Sequence, residues 1–271
     1  MCQYDLSPRV VAFSTTRHGG VSTDNYASFN INHYCGDNPE NIQRNQQLLC
    51  ERLGIGRDRL VYPHQTHQTV VCQITDDFLA LEKQQQEELL DGVDALVTDV
   101  QGVCIGVSTA DCIPIIIYDP NHHAVATVHA GWRGTVARIV QKTVDVMHTT
   151  FHSEPSALVA VIGPGISLKN FEVGDEVYSA FACAGFPMDL IAKQYPIIGE
   201  NVSGKDVKSD CTYKWHLDLP FCNSLQLQEC GLRKGKIQMS GICTFDRYDD
   251  YFSARRLGIN SGRIFTGALL S

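Results

Sequence analysis

The sequence has no CxxC pair, no GxGxxG turn, no Walker loop, no HExxH helix and no GxSxG elbow. These absences remove the usual signatures of zinc ribbons, dinucleotide and P-loop folds, zincins and serine hydrolases. The HxE…PCxxC pattern of zinc nucleobase deaminases is missing too. No HxH occurs, which argues against a multicopper centre built from closely spaced imidazoles. Nor is there a block of lysine or arginine to offset the formal net charge of −8, so neither nucleic-acid backbones nor anionic membranes are expected partners. Apolar runs stop at about six or seven residues, far short of the ~20 that cross a bilayer. The first residues, MCQYDLSPRV, lack the basic and apolar regions of a signal peptide. Eleven cysteines are scattered without pattern along 271 residues, too long a chain for a disulfide scaffold, so the thiols are expected to be reduced and the protein cytoplasmic. With no internal repeat and no linker, a single domain over residues 1–271 is expected.

What is present is an ordinary globular composition, 44% hydrophobic and 19% charged, on a chain long enough for a substantial core. VVAFSTT (10–16) reads as a strand. A helix follows, with Asn38 as N-cap, Pro39 at its first position and Gly54 at its C-terminal cap. LEKQQQEELLDG (81–92) is a polar helix or surface excursion, and LVYPHQTHQTVVCQI a broken pair of strands. DALVTD, VCIGVS, IPIIIYD and AVATVHA form a run of short strands. Apolar residues at 136, 139, 140, 144 and 147 predict one helix beginning near Thr135. LVAVIG is a buried-type strand, DEVYSAFACAG a helix, and DLPFCNSLQLQECG another, capped by Asp218 and closed by Gly231. KIQMSGICTF and RIFTGALL supply late strands. Strands and helices mixed without a βαβ repeat predict an α/β fold of α+β type, with a mixed or antiparallel sheet covered by helices.

STADCI (108–113) places Asp111 and Cys112 at the mouth of the apolar run PIIIY. Cys112 can be read as a small buried hydrophobe, a thiolate nucleophile or a metal ligand. The turn DPNH (119–122) bears on that choice. A hairpin centred between Pro120 and Asn121 sets Cys112 opposite His129, with Cβ atoms ~4.5–5.5 Å apart. A different loop length would leave the pair diagonal. Such a pair suits two ligands of one metal or a thiol–imidazole dyad. A catalytic zinc needs a third ligand and one open position. His122 and His123 fall at a turn tip, and His148 and His152 late in a helix, which leaves His64 and His67; spacing does not choose between them.

Two arginines have unusual settings. Arg17 precedes a glycine pair and small hydroxyl residues in TTRHGGVS, a loop able to hold phosphate or carboxylate. Arg133 sits beside Trp132 in GWRG, just after His129.

Taken together, TTRHGGVS, HQTHQTVV, DALVTD, STADCIPIIIYD, VHAGWRGT, IGPGIS with FEVGDEV, and FSARRLGINSGRIFTGAL resemble the YfiH family, in order and over nearly the whole chain. The family is also known as the laccase-domain or polyphenol oxidase family and as the peptidoglycan editing factors. The resemblance implies a layered α-β-β-α-like domain related to the cysteine-hydrolase domain of cytotoxic necrotising factor. It also implies a zinc, with copper the lesser alternative, held by His67, Cys112 and His129. One departure is Gln46, which stands where the family often has arginine in NIQRNQQLL, so no ligand role is assigned to it.

The resemblance further implies purine nucleoside chemistry: phosphorolysis of adenosine, inosine and methylthioadenosine, and deamination of adenosine. The partners are then purine nucleosides and inorganic phosphate, with the protein a monomer or homodimer. His67, Cys112, His129 and Arg17 are the candidate catalytic residues, and Arg17 and Arg133 the candidate phosphate contacts. Asp111 reads either as an orienting or acid–base group or as a structural cap. Two alternatives remain: a peptidoglycan-editing hydrolase using Cys112 and His129, and a non-catalytic zinc scaffold.

Overall fold

The structure, a computed structural model, describes residues 1–196 and 213–271; Cys211 lies outside them. Period-2 burial shows how the layers form. In strand Ile113–Asp119, Ile113, Ile115 and Ile117 pack with helix residues Ile139, Val140 and Met147, whereas Ile116 and Tyr118 meet Ala12, Ile105 and Ala268 of another sheet. Both faces are dry, so the strand is a continuous apolar run instead of an alternating one.

It belongs to a six-stranded mixed sheet, in spatial order Ile237–Met239, Val159–Ile162, Ile113–Asp119, Ala124–Ala130, Val93–Thr98 and Val70–Gln73. A five-stranded sheet packs against one face and runs Cys2–Ser7, Val10–Ser14, Ile264–Leu270, Cys104–Thr109, Leu60–Val61. Helices Ile139–Phe151 and Leu219–Glu229 cover the outer face of the first sheet, and helix Pro39–Leu53 packs Leu49 on Phe13 and Phe265 of the second. The result is a mixed α/β fold in four layers, as expected. A small sheet of Glu172–Val173, Ala192–Pro196 and Tyr213–Leu217 was not foreseen. Among the described residues, no helix is long and apolar enough to cross a membrane.

The helix punctuation is as read. Asn38 accepts from the Glu40 N–H at 2.8 Å, Pro39 opens the helix, and Gly54 closes it at φ 69°. The helix foreseen from Thr135 instead divides into Trp132–Val136 and Ile139–Phe151. Arg138 interrupts it at φ 63°, where its guanidinium stacks 4.0 Å over the Phe186 ring and bonds Glu229 at 3.1 Å. These side-chain contacts offset the cost of a left-handed residue.

The hairpin register also differs. Asp119 pairs with Ala124 and Pro114 with His129, so the loop is 120–123 and Cys112 is diagonal to His129. The Asp119 carboxylate accepts from the backbone N–H of Asn121 and His122, capping a longer turn than DPNH suggested. Moving the centre by one residue moves each partner by two. Cys112 and His129 therefore keep the same face, the one turned toward the five-stranded sheet.

Candidate metal centre

The chain leaves strand Ala124–Ala130 through Gly131 into helix Trp132–Val136. A Cβ on Gly131 would lie 2.9 Å from His67 Cδ2 and 3.0 Å from Cys112 Sγ, so a residue without a side chain is needed for the strand to exit beside these groups. His67, Cys112 and His129 each offer a ligand atom, all within 4.8 Å of one another. Cys112 Sγ lies 3.8 Å from His67 Nε2. Tetrahedral zinc with ordinary bond lengths holds a sulfur and a nitrogen ligand about 3.6 Å apart, so the donor set fits. Three ligands of this kind leave one position open. His129 is buried and His67 exposed, so the centre opens to solvent on the His67 side.

Asp94 organises the cluster, and sequence reasoning passed it over. One step beyond the Ala95–Val128 pair, it lies across from His129 and accepts from Nδ1 at 2.6 Å, leaving Nε2 for the cluster. Its two oxygens also accept the backbone N–H groups of Thr66, His67 and Gln68, at 3.3, 3.1 and 2.7 Å. These bonds hold His67 in the left-handed region at φ 63°. Asp94 is fully buried. The available signal was a carboxylate set between Val93 and the apolar residues Ala95, Leu96 and Val97 of a strand.

Burial alone would raise the Cys112 thiol and lower the His129 imidazole. Their mutual attraction reverses both. With His67 also bonding the sulfur and Asp94 accepting from His129, Cys112 is held down to about 6 and His129 pushed up to about 9. Without metal, this attraction favours the thiolate of Cys112 and the imidazolium of His129.

His64, the other histidine of HQTH, bonds Asp91 through Nδ1 at 2.6 Å and stacks on Tyr34 at 4.2 Å, outside the three-donor set. His122 bonds Asp119, and His148 the Ser153 carbonyl. Asp111, at φ 84°, is a cap: it accepts from the Thr244 hydroxyl at 2.6 Å and the Arg255 N–H at 2.7 Å, tying the segment before Cys112 to helix Ala254–Leu257.

The two arginines are not brought to the cluster's cleft. Arg17 donates Nε to the Ala27 carbonyl and Nη1 to the Tyr248 carbonyl, each at 2.8 Å, and lies over Phe252. Its glycine pair serves close packing, since a Cβ on Gly20 would lie 2.3 Å from the Ser28 carbonyl oxygen. Arg133 is exposed and stacks on Trp132 at 4.3 Å. The arginine that lines the cleft is Arg263, together with Asn32, Tyr34, Ser108 and Thr109. Gln46 lies outside the cleft, donating to the Ile31 carbonyl and accepting from Arg57 at 2.6 Å. It lines a neighbouring cavity of about 500 Å³ that shares Tyr34 with the cleft, itself about 170 Å³.

A family model described as multi-copper polyphenol oxidoreductase laccase matches residues 11–271. A purine nucleoside phosphorylase of Bacteroides thetaiotaomicron is 45% identical, over 95% of this chain and 90% of its own. A protein named adenosine deaminase RL5, from an unknown prokaryotic organism, is 41% identical over 95% and 93% of the two chains. The crystal structure of YlmD from Geobacillus stearothermophilus superposes with a TM-score of 0.84 at 30% identity, covering 98% of this chain and 94% of that one. With a full-length family match, close relatives and a shared fold, the chain belongs to the laccase-like YfiH family.

Proposed function

We propose that this protein is a zinc-dependent purine nucleoside phosphorylase that also deaminates adenosine. The observation that carries the reading is the convergence of His67, Cys112 and His129 on one point of an open cleft. Its relatives named for the two activities support the substrate class. A zinc ion there supplies a Lewis acid and a water ionised near neutral pH. The chain's own residues do the remainder. Asp94 fixes the His129 tautomer and the His67 loop, Cys112 contributes the negative charge, and Tyr34 and His64 form a stacked wall of the cleft. The cleft, about 170 Å³, is below the ~300–1,000 Å³ usual for drug-sized ligands, and the cavity of about 500 Å³ beside it shares Tyr34 as a lining residue.

Among the described residues this is the one three-donor cluster, which does not suit a laccase needing several coppers. A purely structural zinc is disfavoured by the lack of a fourth ligand. The thiolate–imidazolium pair favours one second reading, a cysteine hydrolase acting on peptidoglycan through Cys112 and His129. The two readings differ in their need for metal.

The test incubates zinc-loaded protein with adenosine, with and without phosphate, and chromatographs the products. Adenine with ribose 1-phosphate is expected only with phosphate, and inosine in both conditions. Folded, zinc-loaded protein that yields neither sinks the reading. His67→Ala should abolish zinc binding and turnover while His64→Ala retains zinc; the opposite pattern would remove His67 from the site.

A further inference from the structure

We infer that His64, backed by Asp91, is the proton shuttle of the cleft, carrying a proton from the attacking water to the departing amine in adenosine deamination. This deepens the proposed activity and rests on its deaminase half. The first observation is what the cleft offers. Deamination needs a group that takes a proton and returns it, and in zinc nucleobase deaminases a glutamate that is not a ligand does so. Among the described residues, no carboxylate lines this cleft. His67, Cys112 and His129 are committed as donors to the cluster. The titratable groups left in the lining are Tyr34, Cys35, His64 and Arg263. A guanidinium does not give up its proton. Burial pushes the Tyr34 phenol and the Cys35 thiol up, further from neutral pH. His64 remains, and imidazole is the side chain most often used for such transfers.

The second observation is independent: His64 is held as a shuttle must be. Its N–H donates to the Leu90 carbonyl and its carbonyl accepts from the Gly92 N–H, each at 3.0 Å. These backbone bonds bring Asp91 alongside, and Nδ1 donates to the Asp91 carboxylate at 2.6 Å. The ring also stacks on Tyr34 at 4.2 Å and 22°, and Tyr34 in turn packs on His33 at 3.8 Å. Asp91 lines a separate groove with His64 and not the cleft, so the imidazole forms the wall between the two. With Nδ1 protonated toward Asp91, the lone pair sits on Nε2, which has no hydrogen-bond partner among the described residues. Neutral His64 is therefore a base, and the carboxylate behind it stabilises the imidazolium that follows. The step balances without a further reactant. Nε2 takes a proton from water as the water oxygen bonds C6 of the purine. It returns that proton to the amino nitrogen as the C6–N bond breaks, its electron pair leaving with ammonia. The ring is left as the hydroxypurine tautomer of inosine, and His64 is restored.

The test uses the zinc-loaded full chain. His64→Gln keeps a planar polar side chain against Tyr34 but cannot carry the proton. Its kcat for inosine formation from adenosine should fall about 10²–10⁴-fold, the usual worth of a general acid–base group. Its zinc content, and its affinity for inosine measured by calorimetry without phosphate, should stay at wild-type values. Asp91→Asn should lower kcat by a smaller factor and leave KM unchanged, the behaviour of a positioning residue. An unchanged kcat in His64→Gln makes the histidine dispensable and overturns the shuttle. Loss of zinc, or of inosine affinity in step with the rate, makes His64 a ligand or a binding wall and overturns it equally. A wild type that forms no inosine from adenosine refutes the deaminase reading itself, and the shuttle falls with it.

Discussion

Asp94→Asn changes one atom's chemistry at the centre of the cluster and leaves shape and volume alone. The carboxylate serves four donors, two on each oxygen: the His67 N–H and His129 Nδ1 on Oδ1, and the Thr66 and Gln68 N–H groups on Oδ2. Whichever way the amide is placed, its NH2 confronts two of these donors. Hydrogen bonds to a charged acceptor contribute about 1.5–3 kcal/mol each, so losing two costs about 3–6 kcal/mol. That is a large share of the ~5–15 kcal/mol by which a domain is stable. The His67 loop loses what holds its left-handed backbone, or His129 loses the partner that keeps Nδ1 protonated. Zinc affinity should therefore fall about 10–100-fold, the usual result of removing such a partner. Urea unfolding of the metal-free protein reads the first number, and competition with a chromophoric chelator the second. A variant within about 1 kcal/mol of wild type in stability and within about twofold in zinc affinity would refute the role assigned to Asp94.

Gly131→Ala places a methyl 2.9 Å from His67 Cδ2 and 3.0 Å from Cys112 Sγ on a backbone with φ −69°, so its effect is steric and not conformational. Zinc affinity should fall about tenfold or more by the same chelator competition, with little change in metal-free stability. A Gly131→Ala protein that keeps wild-type affinity would show that the strand exit has room to spare. In metal-free protein, alkylation of Cys112 by iodoacetamide, followed peptide by peptide, should be half-maximal near pH 6, against about 9 for an ordinary cysteine. The direction follows from the lowered thiol: the thiolate predominates at neutral pH and is lost as pH falls through about 6. Saturating zinc should suppress the reaction, and a midpoint near 9 would show that His129 does not stabilise the thiolate.

The parts of the fold legible in the sequence are those governed by neighbours a few residues away. Asn38, Pro39 and Gly54 mark both ends of one helix by capping chemistry that operates within a turn. The runs around Ile113–Asp119 and Ala124–Ala130 announce buried strands by apolar content alone. The two-residue strand Glu172–Val173 carries no period, and its sheet exists only through pairing with the distant Tyr213–Leu217. The break at Arg138 was likewise invisible, because the contacts that favour it come from Phe186 and Glu229.

The same distinction divides the site. Cys112 and His129 could be matched across a hairpin because the pairing is local, and an error in the turn's centre shifts partners by two, which preserves the shared face. Asp94 meets His129 from a strand that is its neighbour in the sheet but 35 residues away and not consecutive in sequence, so no spacing rule reaches it. The arginines show the converse failure. Arg17 attracted attention because a glycine pair follows it, yet Gly20 is small in order to pack on the Ser28 carbonyl, and the guanidinium is consumed by backbone oxygens. Arg263 had no such flag in GRIF, and it reaches the cleft because the last strand pairs with Cys104–Thr109. Residue type indicated which atoms could do the chemistry. Long-range strand pairing decided which of them face the cleft, and that pairing makes Asp94 the substitution that tests the site most directly.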